Sequence, residues 1–187
     1  MPQLDGAVIG DATKKWIDTM VVGLNFCPFA RVPFQKDSIR FSVAESTSEQ
    51  ELLGALQTEL AFLHQNPEIE TGLLIHPQAL TNFHDYNQFL QLAEALLENL
   101  GFVGEFQLAS FHPDYQFAGT LPEDAENYTN RSPFPMLHIL REESLTKALQ
   151  NYPDPEAIPE RNIKRLQEMG AEEAQAMLQA CSSNCPE

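Results

Sequence analysis

The residues able to do chemistry fall into three groups. His76 follows the apolar run GLLI, His112 follows LASF, and His138 lies within MLHIL. Asp114 stands two residues beyond His112, a spacing that turns both side chains to one side of an extended chain. A His-x-Asp pair joined by another histidine suits zinc, manganese or iron, with positions left open for water. His76, His112 and Asp114 are therefore candidate ligands for a divalent metal. The structural alternative makes His76-Pro and His112-Pro turn residues bonded to backbone carbonyls. The second group is a thiol, Cys27, with Arg31 four residues on. A nucleophilic cysteine needs a cation or helix N-terminus to lower its pKa and a histidine within reach, which Arg31 with His112 or His138 would supply. Phe26, Pro28 and Phe29 surround the thiol with apolar bulk, so a buried, unreactive cysteine is the rival reading.

The third group lies in ENYTNRSPFPMLHILREES, residues 126–144. All 11 lysines and arginines fall at 14–40 or 131–165, and none occurs between Phe41 and Asn130. Arg131 and Arg141 end that cation-free stretch. With Asn130 and Ser132 they form a candidate clamp for a carboxylate or phosphate. The competing role is an ion-pair brace on the loop, with Asp114, Glu123, Asp124 or Glu126 as partners. Pro133 and Pro135 push Ser132 and Phe134 toward extended conformations, which straightens the chain into the following strand.

The elements that must position these groups alternate. Residues 11–24 read as a helix capped by Asp11, with Trp16, Met20, Val21 and Leu24 on one face, and NFCPFARVPF then forms a loop. Strands are expected over 38–44, in GLLIHP (72–77), over 105–111 and in MLHIL (136–140). Between them run helices from Ser46 or Ser48 to about Gln65, and from Thr81 or Asn82 to Gly101. The span from His112 to Pro135 has no regular period yet holds Tyr115, Phe117, Tyr128 and Phe134, which favours an ordered functional loop. A helix over 142–150, a proline-rich joint at 152–160 and two short helices complete the chain. The pattern predicts an α/β layered sandwich, with a mixed or mostly parallel sheet of about four strands and a helical C-terminal tail. Residues 1–152 would form the α/β domain, and 153–187 a helical extension packed on it. In such sheets sites form at the carboxyl ends of strands.

Composition narrows the partners. A net charge of −16 without a basic stripe argues against nucleic acid and against an acidic membrane surface. No stretch approaches the run of about 18 to 20 apolar residues that a membrane span needs. The first 16 residues, MPQLDGAVIGDATKKW, lack the pattern of a signal peptide. Three cysteines, an odd number, fit free thiols in a reducing cytoplasm, where the triplets Asn127-Tyr-Thr and Asn130-Arg-Ser are not glycosylated. Cys181-x3-Cys185 reads as a frayed tail, with metal binding as its alternative.

GLNFCPFAR (23–31), ETGLLIHP (70–77), FQLASFHPDYQFAGT (106–120) and ENYTNRSPFPMLHILREES (126–144) resemble the signatures of an uncharacterised bacterial family, domain of unknown function 1415. The resemblance runs from about Ala12 to Gly170 and implies one compact cytoplasmic domain; it brings no activity and no residue roles. Two functions stay open on the residues alone. One is an enzyme on a small anionic metabolite, with Arg31, Asn130, Arg131, Ser132 and Arg141 holding the anion and Cys27, His112 and His138 doing chemistry. The other is a non-catalytic module that binds a metabolite or partner through the aromatic loop.

Overall fold

A computed structural model of the chain describes residues 5–182. Helix α1 (Gly6–Trp16) is capped by Asp5, whose Oδ1 accepts from the Ala7 N–H at 2.9 Å. It begins earlier than the sequence suggests, because the buried stripe of Ala12 and Trp16 extends back to Ile9, and Asp11 falls inside the helix. Its last turns widen into a π-helix, Ile17–Val22, closed by a Gly23 N–H to Asp18 carbonyl bond of 3.0 Å. A Cβ on Gly23 would overlap the Thr19 carbonyl oxygen, so the widened turn requires glycine there. The aromatic segment that follows carries one short helix, α2 (Arg31–Gln35).

Four strands then form one mixed sheet in the order β1-β2-β4-β3: β1 (Ile39–Val43), β2 (Thr71–Ile75), β3 (Phe106–Phe111) and β4 (Met136–Arg141). β1 and β2 pair in parallel, and β4 inserts antiparallel between β2 and β3. This is the layered α/β arrangement that the alternation of elements predicts. The helix before β2, α3 (Glu49–Gln65), is capped by Ser48. The helix before β3, α4 (Phe83–Asn99), is capped by Asn82, whose Oδ1 accepts from the His84 and Asp85 N–H groups. Side-oxygen caps of this kind hold the first turn where the backbone N–H groups have no partner.

Side chains alternate across each strand, so the sheet divides the core in two. Leu74, Leu137, Ile139 and Phe106 face α3 and α4, meeting Leu52, Leu56, Leu60, Leu63, Phe89 and Leu97. Leu73, Ile75 and Met136 face the other way, toward Trp16, Met20 and Phe26. Two later helices, α6 (Ile158–Met169) and α7 (Ala171–Ser182), complete that second layer through Leu166 and Ala174, both 0% exposed. The C-terminal helices thus share the core of the α/β unit. Between them and β4 lies α5 (Glu142–Gln150), an amphipathic helix with no fully buried residue.

The span 112–135 is ordered by its own side chains. Asn127 is 0% exposed; its Oδ1 accepts from Phe117 N–H and the Thr120 hydroxyl, and its Nδ2 donates to Leu121 O. An amide so enclosed cannot take a glycan without opening the loop. No helix among the described residues is long and apolar enough to cross a membrane.

Candidate functional site

Of the histidines at strand ends, two are held by backbone. His112 Nδ1 accepts from the Asp114 N–H at 3.0 Å, so Nε2 carries the proton and donates to Leu80 O at 3.1 Å. His76 donates from Nδ1 to Ala79 O at 2.9 Å, and its buried Nε2 has no partner among the described residues. Burial pulls the pKa of His76 down to about 4 and lowers that of His112. Both rings pack on Tyr86, whose hydroxyl donates to Met136 O and accepts from Phe111 N–H, tying α4 to the strand ends. Asp114 is exposed. Among the described residues no group of three or more His, Cys, Asp or Glu is placed to hold a metal ion. The bonds of His76 and His112 to backbone carbonyls are those of the structural alternative open from the sequence. Cys181 is buried and donates to Met177 O at 3.2 Å, while Cys185 lies outside the described residues.

The arginines are held just as firmly, by carbonyls. Arg131 donates from Nε to Tyr115 O at 3.1 Å and from Nη2 to Pro122 O at 2.7 Å, with its guanidinium 4.6 Å over the Tyr128 ring. Arg141 donates to the carbonyls of Ile69, Leu63 and Asn66, and lies 3.5 Å from Glu105. It closes the C-terminal end of α3, where the last carbonyls have no helical partner. Ser132 is 0% exposed, its hydroxyl donating to Phe134 O at 2.7 Å. Arg31 is exposed and reaches the Val22 carbonyl at 3.4 Å. The five candidate anion ligands do not converge: Arg31 bonds back to the end of the π-helix, Arg131 and Ser132 brace the 112–135 loop, and Arg141 and Asn130 lie elsewhere on one cavity wall.

That cavity has a volume of about 330 Å³ and lies on the face of the sheet away from α3 and α4. Its floor is Ile39, Thr71, Leu73, His138, Leu140 and Ala109. These positions lie across the middle and the amino ends of the parallel strands, as the pairs Thr71–Leu140, Leu73–His138 and Ala109–His138 show. At the carboxyl ends of the strands, where a site is expected, Phe83, Tyr86, Tyr115 and His112 pack together. Trp16 and Phe111, in edge-to-face contact at 5.2 Å, close one end. The π-helix contributes Ile17 and Val21, the segment after it Cys27, Phe29 and Ala30, and α5 contributes Ser144, Leu145 and Ala148. Glu70, Thr71, Asn130, His138, Arg141 and Ser144 are the polar residues of a mostly apolar wall.

Two of the three proposed reactive groups meet here, Cys27 and His138; His112 does not. Burial alone pulls the His138 pKa down to about 4, so the ring is neutral at pH 7. Its Nε2 lies 2.7 Å from the Thr71 hydroxyl, while Nδ1 has no partner among the described residues and is not sealed off. Burial also pushes the Cys27 thiol up, opposed by the N–H groups of Phe29 and Ala30. Thr71 and Glu70 escaped the sequence reading. The signal for Thr71 was a hydroxyl opening the buried run TGLLI, where an apolar residue would otherwise pack.

No curated protein and no solved structure matches the chain. The model of the protein family of unknown function DUF1415 matches residues 8–176, and the chain belongs to that family.

Proposed function

We propose that the protein binds a small, largely apolar molecule in the cavity beneath α5 and the π-helix. The observation that carries this reading is His138 Nδ1: an unpaired imidazole nitrogen on the wall of an apolar cavity of about 330 Å³. Apolar cavities of about 150 Å³ hold benzene, so this volume suits a two-ring molecule. Protein interiors otherwise close such gaps, since each unfilled volume forfeits packing contacts. A π-helical turn in the wall fits the same role, because such turns concentrate at functional sites.

An anionic ligand is the weaker form of the proposal. The guanidinium donors of Arg131 and Arg141 go to carbonyls, and Glu70 adds a carboxylate to the wall. Moving an anion from water into such surroundings costs several kcal/mol without a paired cation. Catalysis is the second reading, favoured by the sharing of one cavity by Cys27 and His138. A neutral imidazole and a protonated thiol give it a slow start at neutral pH, and ligand binding alone needs neither charge. In a reducing cytoplasm, the compartment we take for this chain, Cys27 stays a free thiol.

Ligand-observed NMR with a library of neutral two-ring fragments and their carboxylated counterparts tests the proposal. Neutral fragments are expected to bind, and to be lost after Cys27 is alkylated with N-ethylmaleimide, which fills the cavity. Binding that survives full alkylation places the fragments elsewhere and removes the reading. Consumption of a fragment over time would move the balance to the enzyme.

A further inference from the structure

The cavity's ligand class follows from where one proton sits. Thr71 Oγ1 is 2.7 Å from the Ile139 carbonyl oxygen and 2.7 Å from His138 Nε2. A carbonyl only accepts, so the single hydroxyl proton of Thr71 goes to Ile139 O. The hydroxyl can then serve His138 only as an acceptor, and Nε2 must carry the proton. A neutral imidazole holds one ring proton, which leaves Nδ1 as a bare lone pair. Asn130 repeats the polarity: its Nδ2 donates to Ser110 O at 3.1 Å, and its Oδ1 has no partner among the described residues. His138 Nδ1 and Asn130 Oδ1 are thus both acceptors, and the Ser144 hydroxyl can turn either way.

We propose that this site, on the reading that it binds a small apolar molecule, selects neutral ligands that donate one N–H or O–H to His138 Nδ1, with Thr71 as the residue that sets the polarity. Indoles and phenols belong to the class. Ketones and ethers, which only accept, and carboxylates, which meet lone pair against lone pair, do not. An isolated histidine would not discriminate in this way, because it can move its proton to the other nitrogen to suit either partner. Thr71 removes that freedom: relocating the proton to Nδ1 would leave Nε2 and Oγ1 as two facing acceptors, or cost the Ile139 bond. The lock is built into the sheet, because Thr71 and His138 are diagonal neighbours on β2 and β4, through the pairs Thr71–Leu140 and Leu73–His138.

The test compares indole, indene and 1-indanone, three bicycles of similar shape that donate, do neither, and accept. Wild-type protein is expected to bind indole about three- to tenfold tighter than indene, the range of one neutral hydrogen bond, and 1-indanone no better than indene. His138→Leu should bind indole and indene alike. Thr71→Val frees the ring to place its proton on either nitrogen, so it should bind 1-indanone tighter than the wild type does. Nitrogen-15 spectra of the free protein give the tautomer without any ligand and should show His138 protonated on Nε2. Equal wild-type affinity for indole and indene overturns the polarity while leaving the binding reading intact. Binding of none of the three overturns both, and a proton on Nδ1 overturns the lock by itself.

Discussion

The two faces of the sheet are built from similar residue types and end up physically different. On one face α3 and α4 present continuous leucine stripes; Leu52, Leu56, Leu60 and Leu63 are each 0% exposed. The Tyr86 hydroxyl, the Arg141 brace and the Arg40–Glu59 pair, 2.6 Å at its closest, tie that layer to the strands. On the other face the cover is pieced together from a π-helical turn, an aromatic loop, α5 and the C-terminal helices. Regular helices of 3.6-residue period can interlock along their whole length. A cover that changes period and direction every few residues leaves a gap, and the gap falls where the strand face carries Thr71 and His138. The histidines follow the division: His76 and His112 fill space, and His138 borders it.

Truncation should separate the faces most clearly. Leu56→Ala removes a fully buried side chain from the closed layer and should cost about 3 kcal/mol in denaturant unfolding. Leu145→Ala removes one that already borders the cavity and should cost about 1 kcal/mol or less, since few contacts are lost on its open side. Equal losses would mean that the cavity closes in solution. Overfilling inverts the order. Ala93→Leu forces three carbons into a 0% exposed position between α4 and the sheet, and should destabilise by about 1 to 3 kcal/mol. Ala109→Leu points the same atoms into the cavity and should be neutral or slightly stabilising, while displacing any bound bicycle. A destabilisation as large as that of Ala93→Leu would break the comparison.

How much of this could be read from the chain tracks the same division. The closed face was legible: Ser48 and Asn82 cap their helices, the leucine spacing marks the buried stripe, and all four strands fall within a residue or two of their expected places. Those signals are local, set by period and by neighbouring residues. The other face was read less well. The first helix was expected to start at Asp11, and the switch to π-helical turns at Ile17 has no local signature beyond Gly23. Arg131 and Arg141 stood out as cations after a long gap, but their carbonyl partners lie up to 78 residues away in sequence. Cys27 and His138 were named individually; that they share a cavity while His112 does not depends on strand register and on where α5 returns.

The smallest effect distinguishes the histidines by pH. His76 and His138 have folded pKa values of about 4, against roughly 6.5 for an unfolded histidine. Between those values the unfolded chain binds more protons than the folded one, so stability rises with pH. The contribution is fully present above about pH 6.5 and is lost as pH falls toward 4. By pH 5.5 each of the two should cost about 1 kcal/mol relative to pH 7.5, and His112, also lowered, acts in the same direction. His138→Leu, compared by urea unfolding at both pH values, should lose about 1 kcal/mol less on acidification than wild type. An unchanged loss would mean that His138 takes up its proton in the folded state, through water in the cavity. His76 is 0% exposed and does not line the cavity, so His76→Phe should show the reduced loss in either case. The pair of variants therefore reports whether the cavity is dry, which is the property that lets one lone pair choose a ligand.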